Sequence, residues 1–193
     1  MTKNDVTLIE ELFIKRGWKK ISYSFYKYMD DKKEYIISAS LHKVRKELTA
    51  TIRFHVVSLN ELSCFLWDYH KNDFSDKKLK PLSTNQHIHA ACACDLFAIS
   101  QKVNYQNGNS FRFVEECENI SRELYGRYGS IDNLILAHDD PSKYNGTAMI
   151  LYLFQKNYKR VRDLFKSDEQ FPPVGAGDVK LGLWTYIEKN NLH

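Results

Sequence analysis

Residues 48–57 alternate with a period of two. Leu48, Ala50, Ile52, Phe54 and Val56 fall on one side, and Thr49, Thr51, Arg53 and His55 on the other. A helix would scatter these five apolar side chains around its axis, whereas a strand gathers them on one face. The pattern therefore predicts a half-buried strand with one wet face, which needs antiparallel neighbours. Two are at hand. Residues 35–41 place Ile37, Ala39 and Leu41 on one side, and residues 21–26 alternate Ile21, Tyr23 and Phe25 with Ser22, Ser24 and Tyr26. Polar turns at 30–33 and 43–47 separate the three strands.

Around this sheet the spacing turns helical. Leu8, Ile9, Leu12 and Phe13 repeat behind Asn4 or Asp5 as a cap and stop at Gly17. Ser58-Leu59-Asn60-Glu61 matches the S-x-x-E capping box and predicts a helix starting there, with Leu62, Phe65, Leu66 and Tyr69 as its apolar stripe. It fades at His70 into a polar loop ending at Lys80-Pro81. Ile88, Cys92, Leu96, Ile99 and Val103 predict a further helix before the break at Asn107-Gly108. More helices are expected over 113–125 and 130–137. In the tail, Ala148, Leu151, Tyr152 and Phe154, then Tyr158, Val161, Leu164 and Phe165, resemble one helical hairpin of the tetratricopeptide kind. A single copy makes no solenoid, so the pair reads as a cap. Leu181, Trp184 and Ile187 mark a last helix. The expected class is α+β: an N-terminal helix, an antiparallel sheet of at least three strands, and a mostly helical C-terminal half. The expected organisation is an α+β domain over 1–142 with a helical cap, 143–193, packed on it.

At 193 residues and 43% hydrophobic, the chain is long enough to bury a core without disulfides or metal. A net charge of +4 is too small to argue for nucleic acid. Cys64, Cys92, Cys94 and Cys117 are irregularly spaced among apolar neighbours, behind the polar start MTKNDVTLIEE. They read as buried reduced thiols in a cytoplasmic protein. Charges interrupt every apolar stretch well short of the roughly 18–20 residues that cross a bilayer, so no membrane role is expected.

Chemistry has few places to sit. His87, His89, Cys92 and Cys94 form the most metal-like stretch, because zinc takes imidazole and thiolate. On a helix His89 and Cys92 share a face while His87 and Cys94 point elsewhere, so no metal is expected there, and a metal-dependent enzyme around these four residues stands as an alternative. His138-Asp139-Asp140 reads as a solvated turn before Pro141. No G-x-S-x-G elbow and no phosphate-binding glycine loop occurs, so neither covalent catalysis nor a cofactor is expected. Trp18, Lys19, Lys20 and Tyr26 could hold phosphates and stack bases, the basis of a second alternative, an RNA-binding accessory protein. Against it, a Trp just after a helix is usually a core anchor and edge-strand lysines guard against aggregation, so nucleic acid is the less favoured partner. Lys156, Lys159, Arg160 and Arg162 read as a solvated helix face. Glu115, Glu116, Glu118, Glu123, Asp132, Asp139 and Asp140 form an acidic stretch that could dock a basic protein partner and steer its approach.

The segment LIEELFIKRGWKK, with Arg16-Gly17-Trp18-Lys19-Lys20 at its end and strands after it, resembles bacterial families of unknown function that begin helix, Gly, aromatic, Lys, Lys. Those families in turn resemble the immunity proteins encoded beside polymorphic and contact-dependent growth inhibition toxins. The likeness covers the first third of the chain. It implies a non-catalytic protein that neutralises a cognate toxin in the cytoplasm by tight stoichiometric binding, and it carries over no catalytic residues.

Overall fold

The computed structural model describes residues 3–44, 47–71, 81–89, 99–106, 108–138, 146–167 and 176–192. Helix α1 spans Lys3–Lys15 and buries Ile9, Leu12 and Phe13. Gly17, at φ 84°, takes the left-handed turn that ends it. The Gly17 N–H donates to the Ile14 carbonyl at 2.9 Å and the Trp18 N–H to the Phe13 carbonyl at 3.1 Å, the paired bonds of a Schellman closure. The Phe13 and Trp18 rings meet edge to face at 5.2 Å, and Phe13 stacks on Phe25 at 4.8 Å. One glycine thus aims Trp18 back onto its own helix and against the sheet.

Five antiparallel strands run in the order β1 (Lys19–Ile21), β2 (Ser24–Tyr28), β3 (Tyr35–Val44), β4 (Glu47–Val56) and β5 (Ile99–Asn104). With eight helices also among the described residues, the α+β class is what the chain adopts. Ala39 lies opposite Phe25 on one side and Ile52 on the other, and Phe54 lies opposite Ile37. This register gathers Phe25, Ile37, Ala39, Ala50, Ile52, Phe54 and Val103 on one buried face. Helix α4 (Ser110–Tyr128) joins that side through Tyr125, whose ring meets Tyr35 at 5.7 Å, while Tyr35 stacks on Phe54.

Four local expectations are corrected. Residues 21–26 are not one strand: Ser22 adopts φ 53° and Tyr23 is 83% exposed, so a tight turn separates β1 from β2. Of the helix expected from Ile88 through Val103, the start lies in helix α3 (Thr84–His89) and the end is the edge strand β5, while residues 90–98 lie outside the described residues. Ser58 lies inside helix α2 (Val57–Lys71), which begins directly after β4, and Glu61 accepts the Leu82 N–H at 3.0 Å. A capping box also closes the start of α3, where Ser83 Oγ accepts the Gln86 N–H at 3.3 Å and Gln86 Oε1 accepts the Ser83 N–H at 2.8 Å. Finally, the second face of the sheet is not wet in its middle. Ser24, Ser38, Ser40, Thr51 and His55 are all buried there. Their polar atoms tie strand to strand: Ser24 and Ser40 hydroxyls lie 2.8 Å apart, as do Ser38 Oγ and His55 Nε2.

The chain forms two compact units, Met1–Val56 with Ala98–Arg127, and Val57–Phe97 with Tyr128–His193. The division differs from a single boundary at 142. The first unit holds the sheet, α1 and all but the last residue of α4. The second holds α2, α3, α5 (Ile131–His138), α6 (Gly146–Phe154), α7 (Tyr158–Ser167) and α8 (Ala176–Lys189). Within it α2 packs on α8, and α6 packs on both α5 and α7. Gly182 permits the α2–α8 approach: a Cβ added there would overlap the Leu66 carbonyl, with the Leu66 carbonyl carbon 2.9 Å away.

Candidate functional site

Residues from the basic and the acidic stretches meet at one place in the first unit. The Schellman closure of α1 sets Arg16 and Trp18 beside α4. There Glu118 Oε2 accepts Arg16 Nη1 at 2.8 Å, and Glu118 Oε1 accepts the Trp18 indole N–H at 3.4 Å. Lys27 of β2 donates to the Arg16 carbonyl at 3.1 Å, placing a cation on the C-terminal end of α1 where the helix dipole favours it. Around this cluster a cavity of about 190 Å³ is lined by Trp18, Lys27, Met29, Glu118, Ser121 and Arg122. A second hollow of about 220 Å³ lies between the end of β5 and the start of α4, lined by Asn104, Gln106, Asn109, Arg112, Phe113 and Glu116.

The basic and aromatic residues do not assemble into a stacking surface. Trp18 is 3% exposed, too little open ring face to stack a base. Lys19 lies opposite Tyr26 and Lys20 opposite Phe25, which sends the two lysines to opposite faces of the sheet. Lys20 is paired with Glu10 at 2.6 Å, and Tyr26 sets its ring edge to face with Tyr28 at 5.9 Å.

The acidic residues are likewise divided. Glu115, Glu116 and Glu123 are exposed on α4, but Arg112, Arg122 and Arg127 are exposed on the same helix and balance them. Glu118 turns inward to Arg16 and Trp18. Asp132 belongs to the second unit, where it accepts Gln155 Nε2 at 2.8 Å. Asp139 and Asp140 lie outside the described residues, as do Cys92 and Cys94.

Of the metal-like stretch, His87 is buried on α3 with Nε2 3.7 Å from Glu61 Oε1, and His89 closes that helix. Among the described residues no three His, Cys, Asp or Glu side chains group closely enough to hold a metal ion. Cys64 is disulfide-bonded, a departure from the expectation of four reduced thiols, while Cys117 is a free thiol buried in α4. Burial, with Glu116 adding to it, pushes the Cys117 thiol up to about 12, so it is neutral and unreactive near pH 7. Burial raises the Tyr35 phenol too, assisted by Glu34.

Sequence reasoning missed the Ser38–His55 pair. A serine hydroxyl 2.8 Å from an imidazole is the spacing of an activated nucleophile, but both side chains are buried, at 0% and 4% exposure. The pair acts as a polar tie between β3 and β4. Lys27 belongs to the basic and aromatic run read as able to hold phosphates; sequence reasoning missed Arg122, whose meeting with Lys27 depends on tertiary packing.

Compared with protein-family models, with curated proteins and with solved structures, the chain gives no match. Among the described residues no helix is long and apolar enough to cross a membrane.

Proposed function

We propose that this chain is a non-catalytic binding protein that engages a protein partner through the outer face of α4, and that the partner is a toxin which this binding neutralises. One observation carries the choice of surface. Phe111 is 61% exposed at the start of α4, and Arg112, Glu115, Glu116, Asn119, Arg122, Glu123 and Arg127 are exposed along the rest of it. An exposed aromatic beside arginines is the composition from which binding hot spots are built, and interspersed charges fix register against a partner carrying the reciprocal pattern. The choice of a toxin as the partner rests on the resemblance carried by Arg16-Gly17-Trp18-Lys19-Lys20.

The test uses the full chain and the toxin-like domain encoded by the adjacent gene. Calorimetry is expected to give a 1:1 complex, weakened at least tenfold by Phe111→Asp and by the pair Glu115→Lys, Glu123→Lys. A chain that binds no such domain ends the toxin reading. A complex indifferent to both changes moves the interface off α4. The resemblance implies action in the cytoplasm, and a bonded Cys64 counts against a reducing compartment. Alkylation followed by mass measurement of protein taken directly from the cytoplasm settles that point: a fully labelled Cys64 is the outcome this reading requires.

A further inference from the structure

We propose that the cavity between Trp18, Lys27 and Arg122 binds a small oxyanion, a phosphate or carboxylate group. The inference shares Arg122 with the α4 reading but does not rest on it; it rests on a charge imbalance. Three cations gather here, Arg16, Lys27 and Arg122, against one anion, Glu118. Both oxygens of Glu118 are occupied, one by the Arg16 guanidinium and one by the Trp18 N–H. Its one negative charge is matched by Arg16, which leaves the charges of Lys27 and Arg122 uncompensated in the cluster.

Among the described residues neither Lys27 nor Arg122 has a carboxylate partner: Lys27 Nζ donates to the Arg16 carbonyl at 3.1 Å, and Arg122 Nη2 to Asn119 Oδ1 at 2.7 Å. An ammonium has three N–H donors and a guanidinium five, so each keeps donors to spare. Both line the same cavity.

Lys27 is an unusual occupant of its position. It lies opposite Ile37, two residues from the buried Phe25, on the face of the sheet that carries the core. A cation held half-buried there, with another lining the same hollow, gains more from an anion than a solvated surface pair does. The remaining lining suits a small ligand. Ser121 commits its proton to the Cys117 carbonyl at 2.6 Å, so Lys27 and Arg122 supply the donors, while Trp18 and Met29 supply an apolar wall. The volume of about 190 Å³ is several times the ~30 Å³ share of one water molecule, room for a phosphate or a short dicarboxylate.

The experiment follows the Trp18 indole N–H by ¹H–¹⁵N NMR of the full chain, assigned with Trp18→Phe. The chain is titrated separately with sodium phosphate and sodium succinate at an ionic strength held constant with sodium chloride. A saturable shift with a dissociation constant on the order of 1 mM is expected. Arg122→Gln, on an exposed position, should weaken it about tenfold while leaving the melting temperature in place, and Lys27→Gln should weaken it as much with some loss of stability, because it also removes the bond to the Arg16 carbonyl. Saturation by phosphate alone assigns a phosphate group, by succinate alone a carboxylate, and by both an unselective oxyanion site. No saturable shift with either anion, or a shift unchanged in both variants, overturns the proposal.

Discussion

The Glu118 carboxylate holds the Arg16 guanidinium at 2.8 Å across 102 residues of chain, and so fastens the end of α1 to the middle of α4. The side chains are 29% and 20% exposed, so the pair is only partly desolvated and its contribution is discounted accordingly. Glu118→Ala also leaves the Trp18 N–H without its acceptor. We expect a loss of about 2 kcal/mol in urea unfolding, with a coupling of about 1 kcal/mol in a double-mutant cycle with Arg16→Ala. Strict additivity of the two single changes would show that the pair contributes nothing.

Two helical glycines should respond to alanine in opposite senses. A Cβ at Gly182 would overlap the Leu66 backbone, which no side-chain rotation can relieve, so Gly182→Ala should cost about 3 kcal/mol by forcing α2 and α8 apart. Gly126 on α4 is exposed and has nothing within 4 Å of its would-be Cβ. Gly126→Ala should stabilise by about 0.5–1 kcal/mol through helix propensity. Thermal unfolding of the two variants side by side checks both signs.

Lys156 ends α6 in the left-handed region at φ 60°, with its N–H on the Leu153 carbonyl and the Asn157 N–H on the Tyr152 carbonyl, both at 2.9 Å. This is the closure that Gly17 makes for α1, formed here by a residue with a Cβ. Lys156→Gly is expected to stabilise by about 0.5–1 kcal/mol, read as a rise in the denaturation midpoint at unchanged slope. A fall would mean that the lysine side chain contributes more than its strain costs.

Cys117 should resist alkylation in the native protein and label fully in denaturant, as followed by mass spectrometry. Its thiol titrates at about 12 when folded and near the ordinary 9.0 when unfolded. Between those values the unfolded chain has given up the proton and the folded chain has kept it. The stability this group contributes is therefore complete below about pH 9 and is lost as pH rises towards 12. Cys117→Ala should flatten that alkaline decline.

The strands β3 and β4 are legible in the sequence because their alternation is strict and long. β5 is not, since Ile99 and Val103 are four residues apart, a spacing that puts them on one side of a strand and also on one side of a helix. The break at Ser22 carries no glycine or asparagine to announce it. Glu118 reads as one of an acidic run, yet it follows the buried Val114 by four residues and Cys117 by one, at the border of the apolar stripe. Helical spacing alone marks it as the inward-leaning glutamate. Lys27 is marked by the basic and aromatic run it belongs to, but Arg122 leaves no such mark, because their meeting depends on how α4 lies against β2.

Residues 57–98, which belong to the second unit apart from Ala98, separate β4 from its sheet neighbour β5. During synthesis the ten-residue β4 can zip onto β3 at once, but its other edge has no strand to pair with until residue 104 leaves the ribosome. Until then the nascent chain displays a long, apolar strand edge, the kind of surface that recruits other chains. Ribosomal pausing or truncation within 57–98 is expected to prolong that exposure.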